Sequence, residues 1–277
     1  VCYNNVNSYL RTLCGAITKS HPAYAAIGVK DDAGNYKQLN TSLLQIENEF
    51  YSSIRPKRTT QSGETALQAL RLRGVEYIEV RCVDLNPYEP LGVSEEQLRV
   101  IDAFLLYCLL SDSPETPEDE YAEWQENQKR IVYSGRDPAL TLLRDGNEVA
   151  FKDWAQEILE RSLDCAKLLD QSYGGEDYVS AVDKQFAKLS NPELTPSARV
   201  LADLKTQDKS FFEHTLALAE SHRRYFSERP LTAGKQEEFK AQATQSLAAQ
   251  TQLEQSPQIP FDEYLAKYYE QYRSCSC

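Results

Sequence analysis

The stretch "VEYIEVRCVDLNP", residues 75–87, decides how the first third of the chain is read. β-Branched and aromatic residues run up to an Asn-Pro stop, the pattern of a strand. Alternate side chains of a strand share a face. Ile78, Val80 and Cys82 therefore point one way, and Tyr77, Glu79 and Arg81 the other. The plainer reading of that polar face is a solvated surface with a cross-strand ion pair, a feature of small energetic weight. The sharper reading is a sheet whose polar face is the floor of an active site.

Working outward, "TSLLQIENEFYSSIRPKR" (41–58) alternates Leu44, Ile46 and Phe50 with Gln45, Glu47, Glu49 and Tyr51. This predicts a second strand with a carboxylate-rich face. Residues 52–73 follow as a long basic and polar link, in which "ETALQALRLR" has the makings of a short helix and "RPKRTTQSGE" has no apolar periodicity. Long irregular connections of this kind often form binding loops. Upstream, "NNVNSYLRTLCGAITK" predicts a helix, and "AIGVKDDAGNYKQLN" a hairpin turning at Asp31–Asn35.

Set side by side, the two strands would bring Glu47, Glu49 and Tyr51 near Tyr77, Glu79 and Arg81. Clustered carboxylates repel unless cations intervene, and hard oxygen ligands suit Mg²⁺ or Mn²⁺. Arg55, Lys57 and Arg58 could close over an anion such as a phosphate chain. Metal-holding carboxylates beside mobile cations suit phosphoryl transfer from ATP. Neither G-x-x-x-x-G-K-[ST] nor G-x-G-x-x-G occurs, so a P-loop or Rossmann nucleotide site has no support. The plainer alternatives are a wet strand face for the carboxylates and an ordinary solvated loop for the cations. His21, His214 and His222 are isolated in the sequence and expected to be structural or solvent-facing.

Composition narrows the class. The 277 residues are 41% hydrophobic and 26% charged, as in soluble globular proteins, and no apolar run reaches the ~20 residues that span a bilayer. The net charge of −12 is uneven: residues 1–92 carry 10 Lys+Arg against 9 Asp+Glu, residues 93–277 carry 20 against 33. An acidic second part argues against nucleic acid or an anionic membrane as partner. Seven scattered cysteines suggest reduced thiols and a cytoplasmic protein, with the terminal Cys275 and Cys277 an inert tail. The chain begins at Val1 and has no Met, which leads us to expect a processed chain or a fragment. From Ser94 the pattern turns helical: Ser94 and Gln97 form a capping box opening "SEEQLRVIDAFLLYCLL", apolar nearly all round and so expected to be buried. Six further amphipathic segments follow. The expected organisation is a small α/β piece at 1–92 and an all-helical region at 93–277.

"LLQIENEFYSSIRPKR" and "GVEYIEVRCVDLNPYEPLGV" closely resemble the proteobacterial type of glutamate–cysteine ligase, with further similarity at "GRDPALTL", "SYGGEDY" and "NPELTPSARVL". The resemblance covers essentially the whole chain and corresponds to the C-terminal half of a family member. It implies an α+β fold: part of a glutamine-synthetase-like curved, mainly antiparallel sheet, followed by a large helical region. It also implies that ATP phosphorylates the γ-carboxylate of L-glutamate and that the amine of L-cysteine attacks the acyl phosphate. This is the first step of glutathione synthesis, with glutathione a feedback inhibitor. By motif position Glu79 matches a metal-binding glutamate, Arg81 an arginine at the reacting γ-carboxylate or phosphoryl group, and Tyr51 a tyrosine of the cysteine pocket. Glu47 and Glu49 as further metal ligands, and Arg55, Lys57 and Arg58 at phosphate, rest on chemistry more than on the resemblance. The missing N-terminal half would supply the remaining metal ligands, so the chain alone is expected to be inactive and its sheet to have an open edge. Other readings are a guanidino-kinase-like phosphotransferase and a non-catalytic helical scaffold.

Overall fold

The computed structural model describes residues 1–273; Cys275 and Cys277 lie outside the described residues. In chain order the elements are α1 (Val6–Thr18), α2 (Pro22–Ile27), β1 (Ile54–Lys57), α3 (Ala66–Arg73), β2 (Tyr77–Val80), α4 (Glu95–Leu110) and α5 (Glu118–Ser134). Then come β3 (Thr141–Arg144), β4 (Asn147–Ala150), α6 (Phe151–Tyr173), α7 (Asp177–Ser190), α8 (Pro196–Gln207), α9 (Phe211–Ser227), α10 (Ala233–Gln255) and α11 (Phe261–Glu270). Helices dominate. The strands make two small antiparallel sheets, β1 with β2 and β3 with β4.

The chain divides into two compact units, Val1–Val83 with the segment from Ala233 onward, and Asp84–Thr232. The expected single boundary at 92/93 did not anticipate this return of the chain to its beginning. The physical cause is a core. Tyr9, Leu13 and Ile17 lie four apart on one face of α1 and gather with Leu67 and Leu70 of α3 and with Tyr272, just beyond α11. Burial drives the Tyr272 hydroxyl well above the ordinary tyrosine pKa. Tyr269 Oη, nearby in sequence, donates to the Gln45 carbonyl (2.8 Å).

In the second unit Ala103 of α4, Ala166 of α6 and Val182 of α7 are fully buried, with Leu159, Leu163, Val179 and Phe186 packed round them. Small residues at the crossing let the three helices approach closely. The capping box holds: Ser94 Oγ accepts from Gln97 N (3.1 Å) and Gln97 Oε1 from Ser94 N (3.0 Å). The helix it opens is not buried all round, however. Only Ala103 is buried, while Leu98, Phe104, Leu109 and Leu110 are exposed.

Two more expectations need correction. The region after residue 93 is not all helix, because β3 and β4 form a hairpin turning at Asp145 (φ 53°) and Gly146 (φ 75°). Both central residues have positive φ, the geometry Asp-Gly favours in a two-residue hairpin. Nor is 41–58 one strand. A short 3-10 turn occupies Glu47–Glu49, and the strand begins only at Ile54. Alternating polarity there reflects two separate demands on the side chains: Phe50 packs against Arg55, and Glu47 accepts from the first N–H groups of α3.

Candidate active-site floor on the first unit

The register of β1 and β2 pairs Ile54 with Val80, Arg55 with Glu79, Pro56 with Ile78, and Lys57 with Tyr77. Residues directly opposite share a face. One face of the ribbon therefore carries Arg55, Lys57, Tyr77 and Glu79, and the other Ile54, Pro56, Ile78 and Val80. Pro56 has no N–H to give, which a strand hydrogen-bonded on one side only can tolerate. Among the described residues β1 pairs with β2 alone. The apolar face is not a buried one: Ile78 is 46% exposed and Ile54 also exposed.

On the polar face the charges interlock. Glu79 lies 2.8 Å from Arg81 Nη2 and 3.3 Å from Lys57 Nζ. The Arg81 guanidinium, and after it the Lys57 ammonium, hold the Glu79 carboxyl below the usual range. Arg81 also lies over the Tyr51 ring, 5.4 Å from its centroid, although Tyr51 itself is exposed. Arg55 is only 6% exposed and lies 5.7 Å from the Phe50 ring centroid, with no partner for its buried Nε among the described residues. A hydrogen bond from Arg55 partly offsets the burial that raises the Tyr9 pKa. Three cations against one carboxylate leave this face net positive, a field suited to carboxylate and phosphoryl oxygens.

The structure thus brings Tyr51, Arg55, Lys57, Glu79 and Arg81 together, and ties the other candidates to different partners, with Glu47 and Arg58 in the wall of the cavity beside the ribbon. Glu47 is 5% exposed; its carboxylate accepts from the N–H groups of Ala66 and Leu67 (3.0 Å to the latter) and caps α3. Glu49 Oε2 accepts from Gln45 N (2.6 Å). Arg58 donates to the Arg73 carbonyl (3.1 Å) and lies 3.6 Å from Glu76. Beside the ribbon a polar cavity of about 390 Å³ is lined by Lys57, Arg58, Thr59, Thr60, Glu64 and Tyr77, among others. Glu64 is held at a pKa of about 2 chiefly by Arg73, which grips both its oxygens (2.8 and 2.7 Å).

A divalent ion was expected at Glu79, with Glu47 and Glu49 in support. Among the described residues no three His, Cys, Asp or Glu side chains converge on one point. Glu79 offers a single carboxylate already shared by two cations, and the other two are engaged with backbone. The residues present do not by themselves make a Mg²⁺ or Mn²⁺ site. The sequence reading also passed over Tyr9, Thr59 and Thr60. Nothing in the sequence marks Tyr9, which reaches Arg55 only through the packing of α1. His214 is buried, with no partner for its Nε2 among the described residues, and His222 Nε2 lies 2.9 Å from the Pro87 carbonyl oxygen.

A family model described as glutamate–cysteine ligase matches residues 1–131. The glutamate–cysteine ligase of Saccharophagus degradans is 46% identical over 276 residues, which is 99% of this chain and 52% of that protein. The chain is similar to the glutamate–cysteine ligases. The Pseudomonas paraeruginosa ligase is 47% identical over 267 residues, covering 96% of this chain and 50% of its own length. The crystal structure of the Francisella tularensis glutamate–cysteine ligase, solved in complex with AMP, superposes with a TM-score of 0.89 at 33% identity, covering 99% of this chain and 54% of that one. The chain spans about half the length of the ligases it matches. The match reaches both units, so the helices after residue 83 belong to the resemblance as fully as the charged ribbon does.

Proposed function

We propose that this chain supplies part of the active site of an ATP-dependent glutamate–cysteine ligase, joining the γ-carboxylate of L-glutamate to the amine of L-cysteine through an acyl phosphate. The observation that carries the reading is the charged face of the β1–β2 ribbon, found on a chain that matches such ligases along nearly its whole length. The ribbon is proposed as one piece of a larger curved antiparallel sheet, its open strand edges completed by the rest of the parent enzyme.

In this reading Arg81 is the catalytic residue. Its guanidinium neutralises charge gathering on the phosphoryl and carboxylate oxygens as the acyl phosphate forms. Glu79 fixes Arg81 and Lys57 in place, and the Tyr51 ring backs Arg81 from the side of the cysteine pocket. Arg55 and Lys57 add positive field for the phosphates of ATP. Any divalent ion at Glu79 takes its other ligands from outside the described residues, and glutathione acts as a feedback ligand of the same enzyme.

The test is complementation. The chain is co-expressed with the N-terminal half of a related ligase, and ADP release is followed with ATP, Mg²⁺, glutamate and cysteine. The expected result is turnover that needs both amino acids and is lost in Arg81→Met and Glu79→Gln. A soluble, assembled complex that never turns over would reduce the resemblance to ancestry. Turnover with a guanidine acceptor instead would favour a phosphotransferase.

A further inference from the structure

Two stretches noted in the sequence, "GRDPALTL" and "NPELTPSARVL", have no part in the charged ribbon. In the second unit both contribute to the wall of one cavity of about 380 Å³. Its apolar floor is built by Phe151, Ala155, Ile158 and Leu159 of α6 and Leu189 of α7. Three cations line it as well: Arg136, Lys152 and Lys188.

These cations are poorly neutralised. Lys188 Nζ donates to the neutral Gln185 Oε1 (3.0 Å), and among the described residues neither Lys152 nor Lys188 has a carboxylate partner. Arg136 has only a loose pair, 3.9 Å from Glu193. The one acidic residue in the lining is Asp137, and its carboxylate accepts from Ala139 N (2.9 Å) in a local turn. The first turn of α6 adds little to this charge: it carries Asp153, and its first N–H, that of Phe151, donates to the Leu140 carbonyl (2.9 Å).

An apolar floor with a cationic rim selects an amphipathic anion. We propose that this cavity is a binding site for a small apolar carboxylate, its hydrocarbon body against Ala155, Ile158 and Leu159 and its carboxylate among Lys152, Lys188 and Arg136. The same chemistry is offered by a free acid and by the C-terminus of a peptide ending in an apolar residue. A volume near the lower end of ligand pockets, about 300–1,000 Å³, favours the free acid.

The probe is 3-phenylpropionate, titrated into the ¹⁵N-labelled chain and followed by amide shifts. Saturable shifts at Ala155, Leu159 and Leu189 are expected. The neutral 3-phenylpropionamide should bind roughly tenfold more weakly, as loss of a charge-assisted hydrogen bond implies. Lys152→Met, an exposed position, should weaken the acid by a few-fold and leave the amide unchanged. Ala155→Phe, which fills the floor, should abolish binding of both. Absence of saturable shifts at these residues, equal affinity for acid and amide, or tighter binding of an acetylated peptide ending in Phe would each overturn the proposal. If Ala155→Phe fails to fold, the acid-to-amide ratio in the Lys152→Met chain decides alone.

Discussion

Replacing Glu47 separates a structural carboxylate from a metal ligand. Its two oxygens satisfy the N–H groups of Ala66 and Leu67 at the start of α3, and the side chain is 5% exposed. In Glu47→Ala both N–H groups lose their acceptor. Leu67 is buried, so its N–H cannot turn to water, and an unsatisfied buried donor costs about 1–3 kcal/mol. Ala66 is half-buried and loses less, on the scale of an N-cap at about 1 kcal/mol. The carboxylate also faces the positive end of the helix, worth about 0.3–1 kcal/mol. The other N-terminal contact, Thr65 Oγ1 to Gln68 N at 3.3 Å, is too long to compensate. The sum is about 2–5 kcal/mol, or roughly a 30- to 4,000-fold loss of hydrogen-exchange protection at the amides of Ala69 and Leu70. Glu47→Gln keeps one acceptor oxygen and should lose about half of that free energy. Amide exchange read by NMR is the assay, with the α4–α6–α7 amides of the second unit as internal reference. Unchanged protection in α3 of Glu47→Ala would refute the capping argument and reopen a ligand role for this residue.

Two further outcomes follow from the packing and the charges. Ala166 and Ala103 are fully buried where α4, α6 and α7 meet, so Ala166→Leu should destabilise the second unit by about 1–3 kcal/mol through overpacking, whereas Leu168→Ala, at an exposed position, should change stability by under about 0.5 kcal/mol; urea midpoints compare them, and equal midpoints would contradict the close crossing. Glu79 titrates below its unfolded value because of Arg81 and Lys57, so its contribution to stability is complete above about pH 4.3 and is lost as pH falls from there through the lowered folded pKa; the melting-temperature gap between the native chain and Glu79→Gln should close in acid, and a gap constant from pH 7 to pH 3 would count against the pairing.

Much of the helical architecture was legible. Ser94 and Gln97, the Gly and Pro stops, and the 3.6-residue spacing marked α4 to α9 because capping and amphipathicity are local signals, whereas α10 is a helix that buries no residue and has no apolar face. The β3–β4 hairpin is also written in the sequence, as Asp145-Gly146 between Leu142-Leu143 and Val149, but strands of four residues give too short an alternation to stand out between helical segments. The stretch 41–58 misled for a physical reason. Alternating apolar and polar residues mean a strand only if one side faces a core and the other water or a site. Here Phe50 meets Tyr9 and Arg55, while Glu47 turns inward to a helix end 19 residues further along the chain.

By itself the sequence determined most of the helices, though not α2 or α11, the strand around Tyr77–Val80 with Glu79 and Arg81 on one face, and the likeness to glutamate–cysteine ligases. Which candidates share a site was decided only by the tertiary structure. Register set Arg55 opposite Glu79, and proximity gave Lys57 and Arg81 to the same carboxylate. Glu47, Glu49 and Arg58, identical in type to the residues that stayed, were drawn off by backbone groups and a neighbouring acid that needed them. A side chain's chemistry is local and can be read in order along the chain. Its partner is whichever unsatisfied group the fold brings within about 3 Å, and that is a property of three dimensions.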